Sequence, residues 1–321
     1  MARAVAERAI ARPGRPRGMA RQTAYAYAYI APAFFFLAFA TLIGVVYTVY
    51  ISFTNADGLE HFDASTWENV GLRNYREVLF DLELSTFIQV FQWTFLFALF
   101  SMAFSFAVGL VLALLLNDKS IPERNFYRVI LIIPWAIPGT IAILSWSGIL
   151  NSDFGYLNNF LEDVGLPRLN WLNDPTLAKL SVVLVNVWLS FPFMMTACLG
   201  ALQSVPDELG ESARIDGAGA LSRFRYVSFP FLRSVVTPLL IGNFAFQFSN
   251  FNAVFLLTRG NPASIDSDAG ETDILISYTY SLTITQQRFA IAACYAVMIF
   301  LIIGTISLIQ MKMSRAFEEV D

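Results

Sequence analysis

The chain alternates between long apolar runs and shorter polar ones. A helix that crosses a bilayer needs about 20 mostly apolar residues, because lipid offers no partner to a backbone N–H or C=O. Six runs meet this length: roughly 27–53, 87–116, 126–150, 179–203, 231–257 and 288–311. They predict an all-α membrane protein of six transmembrane helices in one polytopic domain. Runs 87–116 and 231–257 are long for one crossing and are expected to tilt or protrude. Run 126–150 is interrupted by Pro134 and Pro138, which a span tolerates only where neighbours take up the freed carbonyls.

Composition agrees with this pattern: 56% of the 321 residues are hydrophobic and only 14% charged, too apolar for an ordinary soluble domain. The net charge of −4 hides an asymmetry. Arg3, Arg8, Arg12, Arg15, Arg17 and Arg21 precede the first run. Lys119, Arg124, Arg128, Arg214, Arg223, Arg225 and Arg233 sit in two inter-run segments, and Lys312 and Arg315 follow the last run. Most of the basic residues therefore fall on one side, and the positive-inside rule puts that side, with both termini, in the cytoplasm. The expected layout is a basic cytoplasmic tail (1–26), a membrane domain (27–311) and a cytoplasmic tail (312–321). An acid-rich external loop (54–86) and a cytoplasmic loop (204–230) lie within the membrane domain. The basic tail reads as a topogenic segment facing water and lipid headgroups, with no nucleic-acid partner. Run 27–53 is too long for a signal-peptide core, so it is read as a retained first helix.

Several chemistries are excluded. No Gly-x4-Gly-Lys-Ser/Thr loop is present, so the chain lacks this phosphate cradle. No Ser/His/Asp set or carboxylate pair falls within the runs. Cys198 and Cys294 lie inside runs and read as packed hydrophobes. His61, the single histidine, has no Cys or His partner, so no metal site is expected. The runs also lack ionisable residues at depth. Lys179 and Arg288 stand at run ends, where they can snorkel to the interface. That counts against proton coupling, though not against sodium coupling through backbone carbonyls.

The polar segment 204–230 is patterned. Ser204 reads as a helix cap, Pro206 as a first-turn residue, and Asp207 and Glu208 as acids suited to the positive helix end. The helix is expected to run to about Asp216, with Gly217 and Gly219 ending it. Leu209, Ala213 and Asp216 share one face. A second short helix is expected over Ser222–Val227, before Pro230 opens the next span. The plain reading is a connecting loop with a surface helix; the sharper one is a docking element for a cytoplasmic protein.

Within it, Glu211-Ser212-Ala213-x3-Gly217-x9-Val227-x-Phe229-Pro230 resembles the Glu-Ala-Ala-x3-Gly-x9-Ile-x-Leu-Pro loop of permease subunits of binding-protein-dependent ABC transporters. Ser212, Val227 and Phe229 depart mildly from that pattern. Gly71-Leu72-Arg73-Asn74-Tyr75 is similar to a signature of sugar permeases. Arg128–Pro138, Asn186–Gly219, Phe244–Phe251 and Thr272–Tyr280 resemble the larger, MalF-type permease of maltose/maltodextrin importers. The resemblance implies a type I importer (MetI-like) fold in a bacterial inner membrane. It implies four partners: a second, MalG-type permease, two MalK-type ATPase subunits and a MalE-type binding protein outside. ATP and Mg would sit on the ATPase, with no cofactor on this chain and no enzyme activity of its own. Glu211, Ser212, Ala213, Asp216 and Gly217 become the ATPase-coupling positions, with a side chain at 217 expected to hold the helix off its cleft. Segment 54–86 is too short for the folded external domain of the enterobacterial form.

For cargo, Asn186, Ser190 and Phe193 fall on one helix face, as do Asn243, Gln247 and Asn250, with Phe246 beside them and Trp135 between the two prolines. Neutral amides donate and accept, and aromatic faces cover the C–H face of a sugar ring, so an uncharged sugar fits. The same amides could instead glue helices together. The resemblance implies substrate contacts at Trp135, Asn186, Leu189, Ser190, Phe193, Asn243, Phe246, Gln247 and Asn250. Trp135 and Phe193 replace tyrosines, Ser190 a glycine, Asn243 a serine and Gln247 an asparagine. Maltose, trehalose or a similar α-glucoside therefore stays open. The rivals are an ABC permease for another solute such as glycerol phosphate, a six-helix secondary carrier, and an intramembrane enzyme.

Overall fold

A computed structural model describes residues 17–58 and 63–313, with side chains from Tyr25 onward apart from Ala26 and Met313; the outer parts of both tails and His61 lie outside the described residues. Two units divide the chain, one up to Tyr50 and one from Ile51. The first unit is a single helix, α1, which continues to Ser52 (Arg17–Ser52). It is apolar around its circumference and nearly every side chain described is exposed, as a lipid-facing span requires.

The second unit is helical, with two isolated β-bridges among its described residues. Its helices are α2 (Arg73–Phe80), α3 (Leu84–Asn117), α4 (Arg124–Ala136), α5 (Gly139–Ile149), α6 (Tyr156–Asp163) and α7 (Pro175–Gln203). They are followed by α8 (Asp207–Ile215), α9 (Ala220–Phe248), α10 (Phe251–Phe255), α11 (Leu275–Ile284) and α12 (Phe289–Met313). Helices α1, α3, α7, α9 and α12 are each long and apolar enough to cross a membrane. The pair α4 and α5 passes together but bends by 89°. The predicted third span is thus broken. Pro138 has no N–H to continue α4 and stands as the N-cap of α5 in extended conformation (φ −54°, ψ 122°).

The pairing of α3 with α7 is the most extensive in the unit. It depends on Gly109: a Cβ there would lie 2.6 Å from the Met195 backbone nitrogen and 2.9 Å from the Met194 carbonyl carbon. Without a strong hydrophobic drive between helices in lipid, such close backbone approach supplies the dispersion contacts that hold spans together. Toward α8, Ala113, Leu116, Met195, Cys198, Leu202, Leu232 and Val236 form a buried cluster. Toward the other end, Val90, Phe248, Leu275, Tyr278, Cys294 and Tyr295 form another. Both cysteines are free and buried, as packed hydrophobes.

Two expectations need correction, and the two charges at the run ends prove to be paired. Lys179 Nζ meets Glu271 at 2.6 Å, and this hydrogen bond holds the Glu271 carboxyl below the usual carboxylate range. Arg288 is clasped by Glu83 at 2.6 Å and Glu77 at 3.1 Å, joining α2, the start of α3 and the start of α12. Ser204 does not cap α8. It closes α7 instead, its Oγ donating to the Ala201 carbonyl at 2.8 Å, and Pro206 takes the N-cap position of α8. Nor does Pro230 open a separate helix, because α9 already runs from Ala220. A wide turn over Phe224–Ser228 bonds the Phe229 N–H to the Phe224 carbonyl, five residues back. This wider spacing accommodates a proline ring that would otherwise clash with a carbonyl four residues earlier.

The Gly71–Tyr75 signature acquires a structural reason. Gly71 has φ +60°, and Asn74 is buried, its Nδ2 donating to the carbonyls of Ser52 (3.0 Å) and Thr54 (2.7 Å). Tyr75 OH bonds Ser52 Oγ at 2.7 Å.

At Gly109, an alanine must displace backbone of α7, so Gly109→Ala is expected to cost about 1–3 kcal/mol as over-packing. It should lower the melting temperature of the detergent-solubilised protein. Gly200→Ala, where nothing lies within 4 Å, should be neutral or slightly stabilising.

Candidate functional site: an uncharged cavity beside a broken helix

α9 ends at Phe248, and Asn250 caps the short α10 with non-helical backbone (φ −79°, ψ 74°). The helical register that the sequence suggested for Asn243, Gln247 and Asn250 therefore stops before its last member. The break still brings Asn250 to α7, where three amides meet. Asn186 Nδ2 donates to Gln247 Oε1 at 2.9 Å, and Asn250 Nδ2 donates to Asn186 Oδ1 and to Gln247 Oε1, both at 3.0 Å. Gln247 Nε2 donates to Ser190 Oγ at 3.1 Å. Gln247 is fully buried and Asn186 nearly so. In a medium without water these bonds satisfy groups that would otherwise be costly to bury.

In front of this network lies a cavity of about 660 Å³, within the range of small-molecule sites. Trp135, Asn186, Leu189, Ser190, Phe193, Asn243, Phe246 and Asn250 line it. Gln247 does not; it stands behind the wall and holds Asn186, Ser190 and Asn250. Asn186, Ser190 and Asn250 thus both join the helices and line the cavity, while Gln247 does only the first. The α4–α5 bend opens one side, where Trp135 and Phe193 rings sit 6.3 Å apart and tilted by 54°. Trp135 and Phe246 stay largely exposed at the rim. The Asn243 Oδ1 is buried with no hydrogen-bond partner among the described residues. No lining residue is ionisable.

Sequence reasoning missed Thr140, Pro238, Gly242, Asn252 and Gln310, which also line the cavity. Gln310 carried a usable signal, being the one amide in the otherwise apolar run 288–311. Among the described residues, no group of His, Cys, Asp and Glu could hold a metal ion.

At the other predicted site, α8 presents Glu211 and Ser212 to the surface, with Asp216 and Gly217 just beyond it and Ala213 half-buried. Gly217 has φ +79°. Its N–H bonds the Arg214 carbonyl at 3.0 Å, and the Ala218 N–H bonds the Ala213 carbonyl at 2.9 Å. This double closure at a left-handed residue is a Schellman helix end, which glycine enters without strain. Nothing lies within 4 Å of where a Cβ would project. Ile215 is 87% exposed and Leu221 80%, unusual for apolar side chains beside charged neighbours.

Residues 69–316 match the family described as binding-protein-dependent transport system inner membrane component. The chain belongs to this family. It is 34% identical over 297 residues to the galactooligosaccharides transport system permease protein GanP of Bacillus subtilis (strain 168), covering 92% of this chain and 71% of that one. It is 38% identical over 284 residues to the maltose/maltodextrin transport system permease protein MalF of Yersinia pestis, covering 84% of this chain and 52% of that one. The permease thus spans about half the length of that MalF relative. In fold it is similar to a chain of a bacterial ABC transporter involved in the import of the acidic polysaccharide alginate (TM-score 0.76, 23% identity, 93% and 98% of the two chains covered).

If the amides serve as scaffold, Gln247→Leu should cost about 1–3 kcal/mol, because it strands the groups of Asn186, Ser190 and Asn250. Asn243→Leu removes an oxygen with no internal partner and should leave thermal unfolding in detergent nearly unchanged.

Proposed function

We propose that this permease is the transmembrane subunit of an ATP-driven importer for a neutral oligosaccharide. Its cargo would be a maltodextrin, trehalose or a similar α-glucoside, crossing a bacterial inner membrane with both termini in the cytoplasm. The observation that carries the reading is the cavity wall: amides, a hydroxyl and aromatic faces, with no charged side chain. Amides match hydroxyls as donors and as acceptors, and the aromatic rim matches the C–H face of a sugar ring. Glycerol phosphate, or an acidic glycan such as alginate, would call for a basic group that this wall does not offer.

The cavity is open on the side of Trp135 and Phe246. A second, homologous permease would close it, so this chain supplies half of a pathway. A soluble binding protein delivers the sugar from outside. Two ATPase subunits, which hold ATP and Mg, dock on the opposite side against α8, with Glu211, Ser212, Ala213, Asp216 and Gly217 at the contact. Exposed Ile215 and Leu221 support that placement, since apolar side chains in water favour a partner's cleft. Closure of the ATPase pair moves α8, and the spans follow as a rigid body, turning the sugar site from one side to the other.

Pull-down of the tagged chain, with ATPase assay of what accompanies it, tests the assembly. An accompanying ATPase stimulated by one sugar-loaded binding protein is expected; transport by the chain alone without ATP would overturn the reading. Gly217→Trp should insert normally but uncouple ATP hydrolysis from uptake. Gly217→Asn, which tolerates the left-handed backbone, should uncouple less, separating contact from strain. Asn250→Ala should weaken uptake by about tenfold, the loss of one or two hydrogen bonds, with ATPase coupling retained.

A further inference from the structure

Gln310 lies on α12, three residues before its end, and reaches the cavity from the side where α8 is found. Its Nε2 donates to the carbonyl of Pro238 on α9 at 2.9 Å. Gly242, one turn along α9, makes room for it: a Cβ at 242 would stand 3.1 Å from Gln310 Nε2 and 3.7 Å from Oε1. Such contact is tight, so the amide would have to give way slightly. No donor reaches Gln310 Oε1 among the described residues, and the neighbouring Asn243 Oδ1 is buried without a partner. Two acceptors without an internal donor therefore line the same cavity as Asn186 and Asn250, whose amides are engaged with each other and with Gln247. The buried Asn243 Oδ1 asks for an explanation, and a ligand hydroxyl supplies one; Gln310 Oε1, only partly buried, is open to a second.

We infer that Gln310, seated in the notch left by Gly242, is the end-stop of the sugar site and sets which chain lengths it accepts. This rests on the sugar-importer reading. The amide accepts a hydrogen bond from a terminal sugar hydroxyl and blocks further entry of the chain beyond Pro238. Its bond to Pro238 fixes the amide plane, so Oε1 is held in place before the sugar arrives, and little order is lost on binding. Asn186 and Asn250 would grip the middle of the sugar, and Gln310 its end.

The test uses the whole importer in proteoliposomes and a maltodextrin ladder from maltose upward. Uptake is measured for the wild type, Gln310→Leu, Gln310→Asn and Gly242→Ala. Gln310→Leu should weaken the apparent affinity for the shortest accepted sugar by about tenfold, the worth of a lost hydrogen bond. Gln310→Asn keeps the amide one methylene shorter, so it should retain most of that affinity while shifting the optimum toward longer chains; it carries the test if Gln310→Leu fails to assemble. Gly242→Ala, which crowds the amide, should shift the length preference in the same assay, by less than Gln310→Asn. Variants that slow every sugar equally, or raise basal ATPase with the length profile unmoved, would overturn the proposal and leave Gln310 as a helix tie. A wild-type importer that carries neither the ladder nor trehalose and other α-glucosides would overturn the sugar reading itself, and the end-stop with it.

Discussion

Asn186, Gln247 and Asn250 exchange hydrogen bonds at the place where α9 breaks and α7 passes it. A helix that stops among other spans leaves carbonyls and N–H groups with no water to satisfy them. Non-helical backbone at such a place survives only when it is packed in protein or lines a cavity. Both conditions hold here. The amides behind the break secure the packing, and the cavity in front takes the remainder. Without Gln247, Asn186 Nδ2 and Ser190 Oγ would lose their partner, and only the bond from Asn250 to Asn186 would still orient the polar part of the cavity wall.

Charge is kept away from this middle region and concentrated at the two ends. Arg288 with Glu77 and Glu83, and Lys179 with Glu271, tie the segment between α9 and α12 to α2, α3 and α7. Trp93 adds to the same fastening, its Nε1 donating to the Thr272 carbonyl at 3.0 Å, with Lys179 Nζ 5.6 Å from its ring centre. Asp273 is buried in this region, which pushes its carboxyl above the usual range, and it accepts from Ser277 Oγ and the Gly270 N–H. These ion pairs are partly buried, whereas the pair at the end bearing α8, Lys119 with Asp207 at 2.6 Å, is largely exposed to its surroundings.

The runs of apolar residues made the spans legible, because length and hydropathy are all that crossing lipid demands. Contacts between residues far apart in the chain were not legible. Arg288 meets Glu83 and Glu77 across 205 and 211 positions, and local pattern carries no trace of such a partner. Prolines gave half their information. Pro138 announced that something must yield in the third span, but not that the bend would reach 89° and turn Trp135 toward a cavity. Ser204 was ambiguous because a serine between two helices can serve either, and proximity to the Ala201 carbonyl decided it. At the cavity, periodicity found the amides on α7 and α9 but could not say which would face inward. Gly217 was legible as a helix end, and its left-handed backbone is how it serves as one.

α9 carries a mechanical consequence. Because the wide turn at Phe224–Ser228 lets the helix run on through Pro230, its 29 residues form one continuous strut from the neighbourhood of α8 to the amide cluster. At a rise of 1.5 Å per residue the strut is about 43 Å long. Pivoting it by about 5° at one tip carries the other through about 4 Å, more than the length of a hydrogen bond. A modest push at one face of the membrane thereby reaches the contacts that line the cavity, less whatever bending the wide turn and the interior Pro238 take up along the way.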